Sequence, residues 1–369
     1  MAATAEAPIR HAERLETTPA RLESLDVFRG LTMLLLISHG FGIRDAFKDN
    51  ASMAWLANQF EHAAWAGCTL WDLIQPAFTF IVGVAIPLAS AIRLRKGATQ
   101  VQLFKHVLWR AAALLALSNV LSNWNTTQPM RVQFINVLCQ IAFSYVLVFA
   151  ILRLPFKAQI ATALGVMTLH HALFYIFPAP GGPFAQTGNA GQQLDYAILG
   201  YNYSGFYTTL NFLGNAITVL FGAWTGLLLQ FEADHAKRLR VLASWSAACF
   251  ALGLALAPVI PMVKRLWLGS FTFLSAGWVL AAFALCYWLI EVKGSTSWTF
   301  PATVVGVNCI FIYSFSQVLH GWLSRGIGNF TGKFAFLGPV GAIPYNLTVM
   351  AVMWGMCYWL YQRKIFFKL

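Results

Sequence analysis

Asp26 and Arg29 stand three residues apart in "RLESLDVFRGLTMLLLISHG" (21–40), where a polar segment runs into an apolar one. An acid and a base at that spacing share a helix face and can pair, which lowers the cost of carrying both charges to membrane depth. The guanidinium also suits a phosphate, and the two roles are compatible. A second set lies in "EHAAWAGCTLWDLIQPAFTFIVGVAIPLAS" (61–90). On a continuous helix Trp65, Thr69, Asp72, Pro76, Gly83, Pro87 and Ser90 fall on one arc, with His62 at its edge if the helix extends that far. Such a stripe does not face lipid, because lipid leaves polar groups unpaired. It packs on a neighbouring helix or lines a cavity. A carboxylate at the depth of Asp72 reads as a functional or orienting group. Histidines complete the inventory: His39, His62, His170, His171 and His320 on the outer half of the chain's apolar segments, His106 on the inner half. Imidazole exchanges a proton near neutral pH, as acyl transfer to an amine or hydroxyl requires. A lone histidine near a membrane interface is more often a satisfied polar group, and the residues alone do not choose among the outer five.

These groups have to be positioned by membrane helices. Of 369 residues, 58% are hydrophobic and 10% charged, against roughly 25% charged in a soluble globular chain. The chain therefore reads as an all-α, polytopic integral membrane bundle. A crossing needs about 20 apolar residues, and ten stretches qualify, near 25–43, 68–92, 103–122, 132–153, 157–177, 205–230, 240–262, 268–290, 301–323 and 341–361. Residues 1–20 lack the apolar core of a signal peptide and read as a disordered cytoplasmic tail, with 21–369 a single transmembrane domain. With the N-terminus in the cytoplasm, 18 of the 25 Lys and Arg residues lie inside and 7 outside. That is the asymmetry of the positive-inside rule, and it puts both termini in the cytoplasm. The net charge of +12 is spread over segment ends, so it reports topology and not a nucleic-acid partner. The six cysteines are scattered without CxxC or Cys/His spacing, which argues against a disulfide framework and a structural metal. Outer loops are expected near 44–67, 178–204 and 324–340; the middle one is rich in Gly, Pro, Asn and Gln.

The same two stretches carry a resemblance. "RLESLDVFRGLTMLLL" followed by "EHAAWAGCTLWDLIQPAFTFIVGVAI" resembles the membrane-bound heparan-α-glucosaminide N-acetyltransferase family, in a bacterial form without a luminal domain. Further matches follow in order: "WRAAALLALSNVLSN" (109–123), "KRLWLGSFTFLSAG" (264–277), "EVKG" (291–294), "GVNCIFIY" (306–313) and "YQRKIFFKL" (361–369). The resemblance implies transfer of an acetyl group from cytosolic acetyl-CoA to an amino sugar across the membrane. It places the catalytic histidine on His62 and the other family positions on Asp26, Arg29, Asp72, Arg110 and Asn308. The chain also departs from the family: Gly40 stands at an asparagine position unless a one-residue shift brings His39 there. Gln140 replaces a common arginine, "YNYSGFYTTLNF" (201–212) replaces an acidic motif, and Ser316 replaces a histidine, with His320 one turn later.

The leading expectation is an acetyl-CoA-dependent transferase in a bacterial cytoplasmic membrane. Arg29, Arg93, Arg95, Lys96, Lys105 and Arg110 would attract the CoA phosphates from the inner side, with Asp26 and Asn308 beside the donor. His62 would act as base or transient acetyl carrier, with Asp72 holding its tautomer if the depth of the span lets them meet. His39, Trp65, Tyr201, Asn202, Tyr203 and His320 would contact a sugar or glycan acceptor. The alternative is a transporter or permease using the same buried charges, against which the absence of an internal repeat counts; a non-catalytic scaffold leaves the polar groups unexplained. Homodimerisation is left open by the sequence.

Overall fold

The computed structural model describes residues 22–124 and 129–367, so the tail expected over residues 1–20 lies outside the described residues. Fourteen α-helices follow one another: α1 (Glu23–Ile37), α2 (Ile43–Phe47), α3 (Ala54–Gln59), α4 (Ile74–Arg95), α5 (Gln100–Asn123), α6 (Val137–Ile151), α7 (Phe156–Ile176), α8 (Ala190–Leu199), α9 (Phe212–Phe231), α10 (His235–Leu256), α11 (Gly269–Tyr287), α12 (Phe300–Gly306), α13 (Cys309–Thr331) and α14 (Ala342–Gln362). No strand forms among the described residues; one isolated bridge joins Ala179 and Gly182. The all-α expectation holds, and each expected apolar stretch coincides with a helix or a broken helix pair. The count of ten spans does not hold. Six helical runs are long and apolar enough to cross a membrane, or up to seven if the pair Glu23–Ile37 and Gly40–Phe47, bent by 53°, is one span. The shortfall has local causes. α5 carries Lys105, His106 and Arg110 as well as Ser118, Asn119, Ser122 and Asn123 in its last turns, α6 has only 15 residues, and the ninth stretch is interrupted between α12 and α13. The run Cys309–Gln362 joins α13 and α14 into one apolar segment.

The described chain divides into two compact units. One holds Trp65–Gly67 and Thr79–Ala281. Its core is built by Val148, Phe149, Leu152, Val219, Leu220 and Ala223 on α6 and α9. α4 and α9 cross so closely that a Cβ on Gly83 would collide with the Val219 carbonyl, and one on Gly222 with the Phe80 carbonyl. Such small-residue crossings are how helices associate where lipid supplies no hydrophobic drive. Between α4 and α5 the turn closes with a capping box: Thr99 Oγ1 accepts from Gln102 N at 3.2 Å and Gln102 Oε1 from Thr99 N at 2.8 Å, meeting two orphan donors at once. This hairpin leaves Arg93, Arg95 and Lys105 at one end of the helix pair.

The second unit holds Leu22–Ala64, Cys68–Phe78 and the chain from Ala282 onward. Its spine is the crossing of α1 with α12, where a Cβ on Gly30 would strike the Ala302 carbonyl and one on Gly306 the Asp26 carbonyl. Leu22 offers α1 no side-chain cap. A carboxylate from elsewhere in the unit supplies it: Ser24 N donates to Glu291 Oε1 at 3.0 Å, a favourable place for negative charge.

Candidate active site

The helix expected to begin near residue 68 starts only at Trp71, as a short 3-10 turn (Trp71–Leu73) running into α4. His62, Trp65 and Thr69 are therefore not on a helical stripe; they lie in the non-helical approach, residues 60–70. The correction brings two candidates together. His62 Nδ1 lies 2.7 Å from Asp72 Oδ1, with the imidazole 44% exposed and the carboxylate 2% exposed. Because a carboxylate accepts, the His62 nitrogen that carries a proton in this pair is Nδ1.

The loop is shaped to make this meeting possible. Asp72 Oδ2 accepts from Ala63 N at 3.2 Å and Thr69 N at 3.3 Å. Asp72 N donates back to Thr69 Oγ1 at 3.3 Å, and the Thr69 hydroxyl donates to the Glu61 carbonyl at 2.7 Å. Gln59 Oε1 accepts from Leu70 N at 3.2 Å. Residues 59–63 are thus laced to 69–72 by side-chain and backbone bonds, with Asp72 at the helix entrance where an anion is favoured. Outside the lacing, Arg44 Nη2 holds Glu61 Oε1 at 2.8 Å. Sequence reasoning missed Gln59, Glu61 and Arg44. A signal did exist for the Thr69–Asp72 reciprocity: "TLWD" has the Thr-x-x-acid spacing of a helix entrance.

His39 and His320, in the same unit, also meet. Their rings stack with centroids 3.9 Å apart and planes at 26°. His39 opens a left-handed turn, with φ 48° at His39, 66° at Gly40, 57° at Phe41 and 72° at Gly42. Gly40 packs so tightly on the Phe60 ring that a Cβ there would come within 2.8 Å of it. Ser316 turns inward, donating to the Tyr313 carbonyl at 2.8 Å.

The donor-side candidates divide. Arg29 Nη1 pairs with Asp26 Oδ1 at 3.3 Å and also donates to the Gly306 carbonyl at 3.4 Å, so the pairing expected at that spacing forms. Asn308 uses both ends of its amide on the backbone, donating to Ile365 O at 3.1 Å and accepting from Phe367 N at 3.0 Å. A donor contact through Asn308 would have to displace these bonds. In the other unit, Arg93 and Lys105 are exposed. Arg95 Nε and Nη1 and Arg110 Nε are buried without a hydrogen-bond partner among the described residues, and the Arg110 guanidinium lies 5.1 Å over the Tyr145 ring. Guanidinium N–H groups so placed carry unused donors toward an acceptor not found among the described residues.

The outer-loop candidates belong to that unit as well. Trp65 donates from Nε1 to the Phe184 carbonyl at 3.3 Å and lies beneath the Arg265 guanidinium at 5.9 Å. The stretch 178–204, read as a loop, contains α8, capped by Asn189 at one end and by left-handed Gly200 at the other. Tyr201 donates to the Val132 carbonyl under the Arg131 guanidinium, and Asn202 is exposed. Tyr203 is buried; its hydroxyl accepts from Phe134 N at 3.1 Å, and burial pushes it up to about 12. Among the described residues no three His, Cys, Asp or Glu side chains gather as a metal site. Gln140 is fully buried, its carbonyl accepting from Asn215.

The chain's sequence matches known proteins along this framework. Residues 21–196 match the family described as "Heparan-alpha-glucosaminide N-acetyltransferase, catalytic". The human heparan-alpha-glucosaminide N-acetyltransferase is 26% identical, over 96% of this chain and 61% of that protein. The mouse protein of the same name is 24% identical, over 97% of this chain and 62% of that protein. The chain thus spans about three fifths of the length of these curated relatives. The stretch similar to that family, residues 21–196, holds Asp26, Arg29, His62 and Asp72.

Proposed function

We propose that this protein is a membrane-embedded acyltransferase that moves an acetyl group from acetyl-CoA to the amine of an amino sugar or related glycan. The observation that carries the reading is the pair of an exposed imidazole and a buried carboxylate at 2.7 Å. Asp72 fixes the Nδ1–H tautomer of His62, and Nε2 removes a proton from the attacking amine as its nitrogen bonds to the thioester carbon. The carbon–sulfur bond then breaks and the proton passes to the departing sulfur. An acetyl-imidazole on Nε2 is the two-step version of the same chemistry.

Support for the donor comes from Arg95 and Arg110, whose unpartnered guanidinium nitrogens suit CoA phosphates, with the exposed Arg93 and Lys105 adding positive charge at the same end of their helix pair. Arg29 is proposed as a further phosphate contact, with Asp26 setting its direction. His39 and His320 are proposed as acceptor-side groups of their unit, and Trp65, Tyr201 and Asn202 as sugar-contacting candidates of theirs. The charge asymmetry supports donor access from the cytoplasm, an acceptor on the opposite side and both termini inside.

The test is thiol release from acetyl-CoA by detergent-purified protein, with and without glucosamine. Acceptor-dependent release by the wild type and a loss of about 10²–10⁴-fold in His62→Ala are expected. Retention of labelled acetyl on the protein without acceptor selects the two-step route. Undiminished turnover by a folded His62→Ala protein, with both substrates saturating, would falsify the assignment.

A further inference from the structure

We propose that the stacked His39–His320 pair is the acceptor-side base that takes the proton from an incoming ammonium, so that a neutral amine reaches His62. The proposal rests on the transferase reading and adds to it a step that chemistry requires. An amino sugar in neutral water is largely an ammonium ion, which has no lone pair to attack a thioester. One proton must leave before attack and a second during it. His62 serves the second, because that proton becomes acidic only as the nitrogen lone pair bonds to the thioester carbon.

Three observations assign the first to His39 and His320. Their rings lie 3.9 Å apart, a separation at which two imidazolium charges repel, so the pair holds one proton at most. His39 is exposed and can exchange that proton with water, while His320 Nε2 is buried without a partner among the described residues. The chain also holds His39 in a left-handed conformation, φ 48°, which is strained for a non-glycine residue. The neighbouring contacts tie this turn to the His62 loop: Gly40 seats Phe60, and Arg44 binds Glu61. Among the described residues, Asp45 on α2 acts electrostatically on His39 and His39 on His320, with Arg44 and Glu61 in contact beside Asp45. Arg44 contacts both Asp45 and Glu61, so neither acid stands as an isolated charge beside the imidazoles.

The step balances. The ammonium gives one proton to the imidazole pair, the amine bonds to the thioester carbon, sulfur leaves with the proton carried by His62, and the pair returns its proton to water.

The experiment uses the purified full-length protein with acetyl-CoA and glucosamine across neutral to alkaline pH. His39→Gly suits the left-handed backbone and opens room for a ring from solution, and His320→Phe keeps the stack without the nitrogens. Both are expected to lower kcat/KM for glucosamine by up to about 10-fold at pH 7, where an amine of pKa near 8 is about one tenth free base, and to recover as alkaline pH supplies the free amine. Added imidazole is expected to restore His39→Gly, with acetyl-CoA binding unchanged. A loss by the same factor at every pH without imidazole rescue, or no loss at all, overturns the proposal. A wild-type protein that transfers no acetyl overturns the transferase reading and this inference with it.

Discussion

Asp72 accepts from His62 Nδ1 and from two backbone N–H groups, and every one of those donors suits the carboxylate form. An amide in its place would keep one acceptor but point N–H groups at another partner, so the Nδ1–H form of His62 would no longer be favoured. Asp72→Asn is therefore expected to lower acetyl transfer by about 10²-fold or more while acetyl-CoA binding, measured by calorimetry, stays within error. Thr69→Val removes the hydroxyl that bonds Glu61 and receives Asp72 N. It is expected to cost about 1 kcal/mol of stability and far less rate than Asp72→Asn; equal rate losses would mean that loop shape alone matters. A separate carboxyl reports on pH. Burial lifts Asp195 above the usual carboxylate range, opposed by the hydroxyl and N–H of Thr209. The folded protein then binds more protons than the unfolded chain between the ordinary and raised values, so this stabilising contribution is full below the ordinary value and lost as pH rises through the raised one. The unfolding temperature of the wild type relative to Asp195→Asn should decline across that window, and a pH-independent difference would contradict it.

Elements decide where these residues can be, and here sequence was a partial guide. The apolar segments were legible because a bilayer demands long runs that nothing else in a chain requires. The site was legible as a set of residue types, but its geometry was misplaced: helical periodicity carried His62 onto the edge of a stripe, whereas the helix begins at Trp71 and the loop folds back on Asp72. Periodicity cannot see a helix start that is made by contacts nine or ten residues apart. Asn308 was legible as a polar residue inside an apolar stretch, yet its bonds go to backbone 57 and 59 residues away, which no local pattern encodes. α8 escaped notice because its ten residues sit among turn formers. Glycines at helix crossings provide the element-scale prediction. Gly222→Ala pushes a methyl into the Phe80 carbonyl and should cost about 1–3 kcal/mol, as overpacking does. Gly165→Ala in α7 meets nothing within 4 Å and should be neutral or up to about 1 kcal/mol stabilising. Thermal unfolding in one detergent compares the two, and equal shifts would count against the close crossing.

At the scale of the whole molecule, the proposed reaction needs two sides: an anionic, water-borne donor on one and a sugar on the other. The placement of basic residues supplies the asymmetry, with Arg93, Arg95 and Lys105 at the turn between α4 and α5 and only scattered cations near the His62 loop. On the proposed orientation, anionic lipid and the membrane potential would both hold such a turn on the cytoplasmic face. Single-cysteine labelling tests this directly at two exposed positions and reads orientation without depending on activity. Gly97 closes the α4–α5 turn with φ 85° and has no neighbour within 4 Å, while Asn202 is exposed beyond α8. The native cysteines are buried or half-buried, so a cysteine-free background is the reference. In sealed, right-side-out vesicles a membrane-impermeant maleimide should label Asn202→Cys, and Gly97→Cys only after the membrane is opened by detergent. Inverted vesicles should exchange the two results, since the reagent then meets the cytoplasmic face first. Labelling of Gly97→Cys in intact right-side-out vesicles would reverse the orientation. The arginines proposed to bind phosphate would then face away from the cytosol, and cytosolic acetyl-CoA could no longer be their ligand.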